Sequence, residues 1–346
     1  IFYVLSQKTF ILITGAAGFI GYHLCKFLLS KGFSIIGVDN LNSYYDVKLK
    51  KDRLNQLGIS KAKLDNYNKL VCSDTYKLKM KFIKLDICDY ENLTKIFKTN
   101  KISSVCNLAA QAGVRESIKN PHIYFKNNVL GFFNVLECCR KYKIQKLVYA
   151  SSSSVYGDNE STPFLESDRS GNQISFYAAT KKSNEDMALS YSHLYGFETI
   201  GLRFFSVYGP WGRPDMAYYI FTDAIFKKNI LKIFNNGKMI RDFTYIDDVV
   251  LSIFKVLTSK SKIKTKKRIY NVGSNNPISL LDFLKIIEDY IGIKALKKYY
   301  SLQKGDLLKT DANIDLIAKH YKFFSKTKIQ EGVQKFVIWY KNYHNV

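Results

Sequence analysis

Short apolar runs alternate with amphipathic stretches between residues 10 and 205. The run FILIT at residues 10–14 leads into GAAGFIG, and the next segment, YHLCKFLLSKG, carries apolar residues at helical spacing. A second apolar run, FSIIGVDN, follows. These segments predict a strand, a glycine turn, a helix and a strand over residues 10–40, which is the length of one βαβ unit.

The same alternation continues along the chain. Strands are predicted at KFIKLDI, SSVCNLAA, KLVYASSS and TIGLRFF, and helices at ENLTKIFKT, at about 121–141 and at about 175–195. Nearly continuous apolar strands separated by helices are typical of a parallel sheet that is covered on both faces. The sequence therefore predicts an α/β fold with a Rossmann-type, doubly wound parallel sheet.

The rhythm changes after Phe205, where SVYGPWGRPDM brings several turn-forming residues together. We expect a Rossmann domain over 1–206, to which residues 243–272 return. Residues 207–242 and 273–346 are expected to form a smaller α/β part that binds the substrate. The charged segment 41–80 has only weak periodicity, and no element is predicted there.

A glycine-rich turn, Gly-x-x-Gly-x-x-Gly, lies between the first predicted strand and helix. Gly15, Gly18 and Gly21 would let a pyrophosphate approach the backbone and the helix N-terminus. Asp39 ends the second strand, where a carboxylate would bond the adenosine ribose hydroxyls and repel a 2′-phosphate. Asp86 falls at the end of the third strand, at the same edge of the sheet. Together these features favour NAD over NADP, although a glycine turn alone can be purely structural.

The formal net charge of the 346-residue chain is +24. Such a charge suits nucleic acid, but only eight of the 53 basic residues are Arg, and the lysines are dispersed. We therefore expect a solvated basic surface and no nucleic-acid partner. Six scattered Cys and five scattered His indicate reduced thiols and no metal site. Without a long apolar run or a signal-peptide pattern, we expect a cytoplasmic protein with no membrane partner.

A tyrosine followed four residues later by a lysine is a candidate catalytic pair, but the chain has 25 Tyr and many Lys. The spacing occurs six times, at Tyr22/Lys26, Tyr44/Lys48, Tyr142/Lys146, Tyr177/Lys181, Tyr290/Lys294 and Tyr300/Lys304. Only Tyr177/Lys181 opens a helix just after a strand end rich in hydroxyls, YASSSSVYG, which contains Ser152. An ammonium and a serine hydroxyl beside a phenol would favour the phenolate, which can then act as a base.

The motifs TGAAGFIG, VDN, LAAQAGVRESIKNP, SSSSVYG, FYAATKKSNE, LRFFSVYGPWGRPDM, GKMIRDFTYIDDVV and QKGDLLKTDA follow one another in this order. They resemble the extended short-chain dehydrogenase/reductase family of sugar-nucleotide epimerases and dehydratases over nearly the whole chain. The resemblance implies NAD as cofactor, a UDP-sugar as substrate, and Ser152, Tyr177 and Lys181 as catalytic residues. It implies cofactor contacts from Gly15, Gly18, Phe19, Ile20, Gly21, Asp39, Asn40, Asp86, Ile87, Leu108, Ala109, Ala110, Gln111, Asn128, Tyr177, Lys181, Phe204 and Val207.

The resemblance also implies a set of substrate contacts. These are Arg115, Ser153, Ser154, Ser206, Arg213, Met216, Ala217, Asn235, Arg241, Gln303 and Asp306. Arg241 matches the diphosphate-binding arginine of the family. Arg115 and Arg213 would contact the sugar, although either could instead anchor its own loop.

Within the family, AAQAGVR, NSYYDVKLKKDRL and GPWGRPDMA are most similar to the enzymes that epimerise UDP-glucuronate at C4. The resemblance then implies a 4-keto intermediate, with Tyr177 as the base. A 4,6-dehydratase uses an Asp-Glu pair where this chain has Ser153 and Ser154, so dehydration is disfavoured. A UDP-glucose or UDP-N-acetylhexosamine 4-epimerase and a UDP-glucuronate decarboxylase stay open as alternatives. The family's usual homodimer would pair the helices near 121–141 and 175–195.

Overall fold

A computed structural model describes residues 9–168, 171–259, 268–303 and 307–346. The strands in these residues are β1 (Phe10–Thr14), β2 (Ser34–Asp39), β3 (Leu70–Ser73), β4 (Lys77–Lys84), β5 (Ile102–Asn107), β6 (Lys146–Ser152), β7 (Glu198–Phe204), β8 (Ser206–Tyr208), β9 (Ile230–Phe234), β10 (Ile240–Arg241), β11 (Phe243–Tyr245), β12 (Ile269–Val272), β13 (Ile278–Ser279) and β14 (Leu296–Tyr300). The helices are α1 (Phe19–Ser30), α2 (Val47–Gln56), α3 (Tyr90–Thr99), α4 (Val114–Lys119), α5 (Pro121–Tyr124), α6 (Gly131–Lys141), α7 (Phe176–Tyr195), α8 (Ala217–Phe226), α9 (Ile246–Thr258), α10 (Leu280–Ile291), α11 (Asp315–Tyr321) and α12 (Ile329–His344). A π-helical turn, Phe125–Leu130, joins α5 to α6.

Eight strands form the central sheet in the order β12-β7-β6-β5-β1-β2-β4-β3. Every neighbouring pair is parallel except β3 and β4. From β1 the chain builds outward in both directions, so the strand order reverses between β1 and β5. Open α/β sheets bind ligands in the crevice at this point. The predicted doubly wound Rossmann-type sheet is confirmed.

Apolar side chains cover both faces of this sheet. On one face α1 packs against α9, and on the other α3 packs against α6. Strands β2 and β7 are almost wholly buried, which explains why their sequences read as continuous apolar runs. No helix in the described part of the chain is long and apolar enough to cross a membrane.

The segment 41–80, for which the sequence predicted no element, contains α2 and the edge strand β3. Helix α2 has the sequence VKLKKDRLNQ, whose polar residues hide its helical period. Strand β3 is antiparallel and partly exposed, so it lacks an apolar run. Strand β4 runs over Lys77–Lys84, earlier than the predicted KFIKLDI, and Asp86 lies two residues beyond its end.

A smaller part of the chain lies at the carboxyl edge of the sheet. Here β14 pairs with β9, β10 with β13, and β8 with β11. Helix α10 packs against α8 and α12, and the rings of Phe243 and Phe283 stack with centroids 3.8 Å apart. Helix α9 and strand β12 return to the central sheet. The predicted division of the chain into 1–206 with 243–272, and 207–242 with 273–346, stays a prediction.

Candidate active site

A cavity of about 890 Å³ opens at the carboxyl ends of β1, β2, β5 and β6. Its volume falls within the range of about 300–1,000 Å³ that is usual for ligand sites. Most of the residues predicted from the sequence line it: Gly15, Gly18, Phe19, Ile20, Gly21, Asp39, Asn40, Asp86, Ile87, Leu108, Ala109, Ala110, Gln111, Arg115, Ser152, Ser153, Ser154, Tyr177, Lys181, Phe204, Ser206, Val207, Arg213, Met216, Ala217 and Arg241.

The glycine turn fits a dinucleotide because its glycines have no side chains between the backbone and a bound ligand. Gly15 has φ +70°, and a Cβ there would lie 2.8 Å from the amide nitrogen of Ala109. A Cβ at Gly21 would lie 2.0 Å from the carbonyl oxygen of Gly15, so α1 packs directly on the turn. Gly18 is the N-cap of α1 and provides no side chain to bond the amides of the first turn. These amides and the helix dipole suit a pyrophosphate.

Two carboxylates are held at the edge where the adenosine half of a dinucleotide would lie. Asp39 accepts hydrogen bonds from the backbone amides of Ala17, at 3.1 Å, and Leu41, at 2.8 Å. Asp86 accepts from the Asn40 amide at 3.2 Å and from the backbone of Cys88 at 2.8 Å. Because backbone amides orient both carboxylates, their remaining lone pairs can accept hydrogen bonds from the hydroxyl groups of a ligand.

The predicted catalytic residues come together beside this edge. Ser152 ends β6 beside Tyr177, which lies near the start of α7, and the Ser152 side chain lowers the pKa of the Tyr177 phenol. Lys181 lies one turn later, with Nζ 6.0 Å from the centre of the Tyr177 ring. Its ammonium donates to the Ala150 carbonyl at 3.0 Å. The backbone amide of Tyr177 is bound by the Ser117 hydroxyl at 3.1 Å, a support that the sequence analysis missed.

Burial governs the protonation of this group in the ligand-free protein. Burial raises the pKa of Tyr177, while the Ser152 hydroxyl and the charge of Arg213 oppose the rise. Burial also lowers the pKa of Lys181 from 10.5 to about 8. Lys181 is therefore still mostly cationic at neutral pH. A cation and a hydroxyl beside the phenol are the groups that favour its ionised form.

The other Tyr–Lys pairs lack this arrangement. Lys26 and Lys48 are exposed on helix surfaces, and Lys294 is exposed in the segment after α10. Lys146 instead donates to the carbonyls of Val256 and Ser259 at the end of α9. In the remaining pair, Lys304 lies outside the described residues. The tertiary structure thus separates Tyr177/Lys181 from the pairs that share only its spacing.

The end of the cavity next to Ser152 is lined by hydroxyls and an arginine. Ser153, Ser154 and Ser206 lie there, and the Ser152 hydroxyl donates to that of Ser154 at 3.2 Å. Arg213 forms a two-pronged ion pair with Asp215, with Nε 3.0 Å from Oδ1. The phenol of Tyr44, from the segment before α2, donates to Asp215 at 3.3 Å.

A family model described as the NAD dependent epimerase/dehydratase family matches residues 11–273. The chain belongs to this family. Protein CapI of Staphylococcus aureus is 47% identical over 96% of this chain and 99% of its own length. UDP-glucuronate 4-epimerase 4 of Arabidopsis thaliana is 40% identical over 97% of this chain and 76% of its own length.

Solved structures of family members are similar over nearly the whole chain. One is UDP-glucuronic acid 4-epimerase from Bacillus cereus in complex with UDP-glucuronic acid and NAD, with TM-score 0.85, 29% identity, and coverage of 97% of this chain and 100% of that one. Another is UDP-glucose 4-epimerase from Thermotoga maritima with UDP-glucose, with TM-score 0.84, 27% identity and the same coverage. This chain is therefore an NAD-dependent sugar-nucleotide epimerase.

Besides Arg213, the predicted arginines Arg115 and Arg241 line the cavity and contact neighbouring residues. The Arg241 guanidinium donates to the carbonyls of Ile240, Leu307 and Leu308, at distances between 2.6 and 3.2 Å. The Arg115 guanidinium lies 5.1 Å from the centre of the Phe234 ring. The carbonyl contacts orient the Arg241 guanidinium at the cavity wall, and the Phe234 ring lies beside the guanidinium of Arg115.

Three described residues that were predicted to contact ligands lie outside the cavity lining. Asn128 is buried, and its side-chain amide bonds the backbone of Gln111 and the Thr180 hydroxyl, so it supports the loop after β5, and its contact with the cofactor stays a prediction. Asn235 follows β9, next to Phe234, which does line the cavity. Gln303 is not among the lining residues either. Asp306 lies outside the described residues.

A buried ion pair lies behind the predicted catalytic residues and supports them. Glu185, one turn after Lys181 on α7, forms a two-pronged pair with Arg203 of β7, with both bonds at 2.8 Å. Both side chains are only 1% exposed. Glu185 also accepts the hydroxyl of Ser151, the neighbour of Ser152, at 2.7 Å. The sequence signal for this pair was weak, because the two residues lie 18 positions apart on separate elements.

Proposed function

We propose that this enzyme interconverts UDP-glucuronate and UDP-galacturonate by inverting C4, with Tyr177 as the base. The observation that carries the proposal is the Ser152–Tyr177–Lys181 group beside a sugar pocket lined by serines and Arg213. The relatives named as UDP-glucuronate 4-epimerases support this choice of substrate.

Tyr177 takes the proton from the 4-hydroxyl of the sugar in the first step. Bound NAD supplies the hydride acceptor in the first half of the reaction and the hydride donor in the second. The Ser152 hydroxyl holds the phenol and the sugar oxygen in line, and the Lys181 ammonium stabilises the phenolate. After the 4-keto sugar turns its other face, Tyr177 returns the proton to the 4-oxygen, which gives the hydroxyl of inverted configuration.

The residues next to Ser152 disfavour two competing reactions. Dehydration needs a carboxylate and its acid to remove the C5 proton and the 6-hydroxyl, and Ser153 and Ser154 provide neither. Oxidation of glucuronate at C4 makes a β-keto acid, which loses CO₂ unless its carboxylate is restrained. Neutral donors from Ser153, Ser154 and Ser206, together with Arg213, would hold that carboxylate.

The nucleotide half of the substrate is assigned to the opposite end of the cavity. We propose that Arg241 binds the diphosphate and that Met216 and Ala217 contact the nucleotide near the start of α8. Arg115 is assigned to the sugar side. Asn235, Gln303 and Asp306 stay predictions for the uridine.

The test is proton NMR of the anomeric region after the purified protein is mixed with NAD and UDP-glucuronate. We expect UDP-galacturonate to appear, and Tyr177→Phe to abolish its formation. Tyr290→Phe is the matched control, since Tyr290 has the same Lys spacing but is 37% exposed on α10. Release of CO₂ would favour the decarboxylase. Turnover of UDP-glucose but not of UDP-glucuronate would mean that the enzyme is a UDP-glucose 4-epimerase. No turnover of any of these would refute the proposal.

We also propose a homodimer that pairs α5, α6 and α7 with the same helices of a second copy. Large apolar side chains are exposed along these elements, including Phe125 (56%), Phe133 (40%) and Leu194 (63%). A paired interface would cover them. Light scattering tests this proposal, because a mass equal to that of one chain would contradict it.

A further inference from the structure

Arg53 is a fully buried cation on α2, with 0% of its surface exposed. Its Nε and Nη2 atoms donate to the Trp211 carbonyl at 3.1 and 2.6 Å, and Nη2 also donates to the Gly212 carbonyl at 3.1 Å. Nη1 donates to the Ala17 carbonyl at 3.0 Å and to the Tyr45 phenol at 2.6 Å. All five N–H groups of the guanidinium therefore have an acceptor.

These acceptors are unusual because none of them is a carboxylate. Among the described residues, no Asp or Glu oxygen lies within 4.0 Å of the Arg53 guanidinium. A buried charge normally has a counter-ion, since its desolvation is costly. The planar fork of Arg53 instead spans neutral backbone carbonyls from two loops, and the positive charge is left uncancelled.

The two loops that Arg53 joins belong to different halves of the cavity. Ala17 is in the glycine turn, where a pyrophosphate would bind. Trp211 and Gly212 directly precede Arg213, which lines the sugar end. The glycine turn and residues 211–212 lie almost 200 positions apart in the sequence. Arg53 contacts both of them.

Other contacts hold the same loop but do not reach the glycine turn. The His23 ring on α1 bonds the Pro210 carbonyl at 2.9 Å. The Trp211 ring packs on Trp339 of α12, with ring centroids 5.4 Å apart. The guanidinium of Arg53 thus contacts both the glycine turn and the loop of residues 211–212 through one rigid group.

We infer that Arg53 is a positioning residue that couples the dinucleotide site to the sugar site. It sets the distance between the glycine turn and the loop of Arg213, so that the sugar ring meets the cofactor edge in a reactive geometry. Its uncancelled charge also favours the anionic pyrophosphate beside Ala17. The inference rests on the proposed function only for the identity of the sugar.

The test compares Arg53→Lys with wild type and with Arg140→Lys. The control makes the same chemical change at an exposed arginine that pairs with Glu137 on α6, away from the cavity. Lysine keeps the charge but cannot bond three carbonyls at once. We expect the KM for UDP-glucuronate to rise about tenfold, which corresponds to the loss of one strong hydrogen bond. The inhibition constant of UDP, which lacks the sugar, should change less than twofold.

Retention of NAD through gel filtration provides a second readout. We expect Arg53→Lys to lose NAD faster than either reference protein, because the support of Ala17 is weakened. A general loss of stability would instead raise the UDP inhibition constant together with the KM. If KM and NAD retention both stay within twofold of wild type, the inference is wrong.

The experiment also covers two other cases, a variant that does not fold and a wild type that does not turn over UDP-glucuronate. If Arg53→Lys does not fold, Tyr45→Phe removes a single acceptor from Nη1 and should shift KM and NAD retention in the same direction by a smaller factor. Unchanged values in that variant would overturn the inference. If the wild type does not turn over UDP-glucuronate, the proposed function fails, and the NAD-retention comparison still decides the role of Arg53.

Discussion

Lys181 is predicted to lower the stability of the ligand-free protein at neutral pH. Burial moves the pKa of Lys181 from 10.5 to about 8, and the side chain is only 3% exposed. A drop of this size corresponds to a penalty of about 3 kcal/mol for holding the ammonium charged in the folded state. The hydrogen bond to Ala150 offsets about 1 kcal/mol of this penalty.

Lys181→Met removes both the charge and the hydrogen bond while roughly keeping the side-chain volume. We therefore expect the variant to be more stable than wild type by about 2 kcal/mol at pH 7, and to be inactive. Because the folded-state pKa lies below the unfolded one, the penalty is complete below pH 8. Between pH 8 and 10.5 the folded lysine is already neutral while the unfolded one is still charged, so the advantage of the variant declines across this window.

The assay is urea unfolding of the NAD-free proteins at pH 7, 8.5 and 9.5. Lys182→Met is the control on the same helix, where the lysine pairs with Asp186 at the surface at 2.6 Å. This variant should change stability by less than about 1 kcal/mol at each pH. The reasoning is refuted if Lys181→Met is less stable than wild type at pH 7, or if the difference does not change with pH.

Three further predictions address separate parts of the site. Ser154→Asp places a negative charge beside the proposed uronate, so the KM for UDP-glucuronate should rise about tenfold or more and that for UDP-glucose much less. Glu185→Gln leaves Arg203 buried without its partner, and urea unfolding should show a loss of about 3–5 kcal/mol. Asp39→Asn removes the carboxylate that would repel a 2′-phosphate, so the ratio of NADP affinity to NAD affinity, measured by calorimetry, should rise about tenfold; an unchanged ratio would show that Asp39 does not set the preference.

The sequence alone determined the layered core of the protein. Strands such as FILIT and TIGLRFF are buried on both faces, so their apolar runs match the observed strands to within one residue. The glycine turn could also be predicted from the sequence, because the close approach of two backbone segments leaves no room for a side chain at Gly15 or Gly21. These features depend on local burial and local backbone geometry, which nearby residues encode.

Only the tertiary structure decided what the polar residues do. Six Tyr–Lys pairs share one spacing, and among the five that the structure describes in full, packing places Tyr177/Lys181 against the end of β6. Helix α2, in the segment 41–80, gave no periodic signal in the sequence. It nevertheless carries Arg53, which donates to the Trp211 carbonyl, 158 positions away along the chain. A polar side chain has a partner only after distant segments have packed, and no local pattern records that partner.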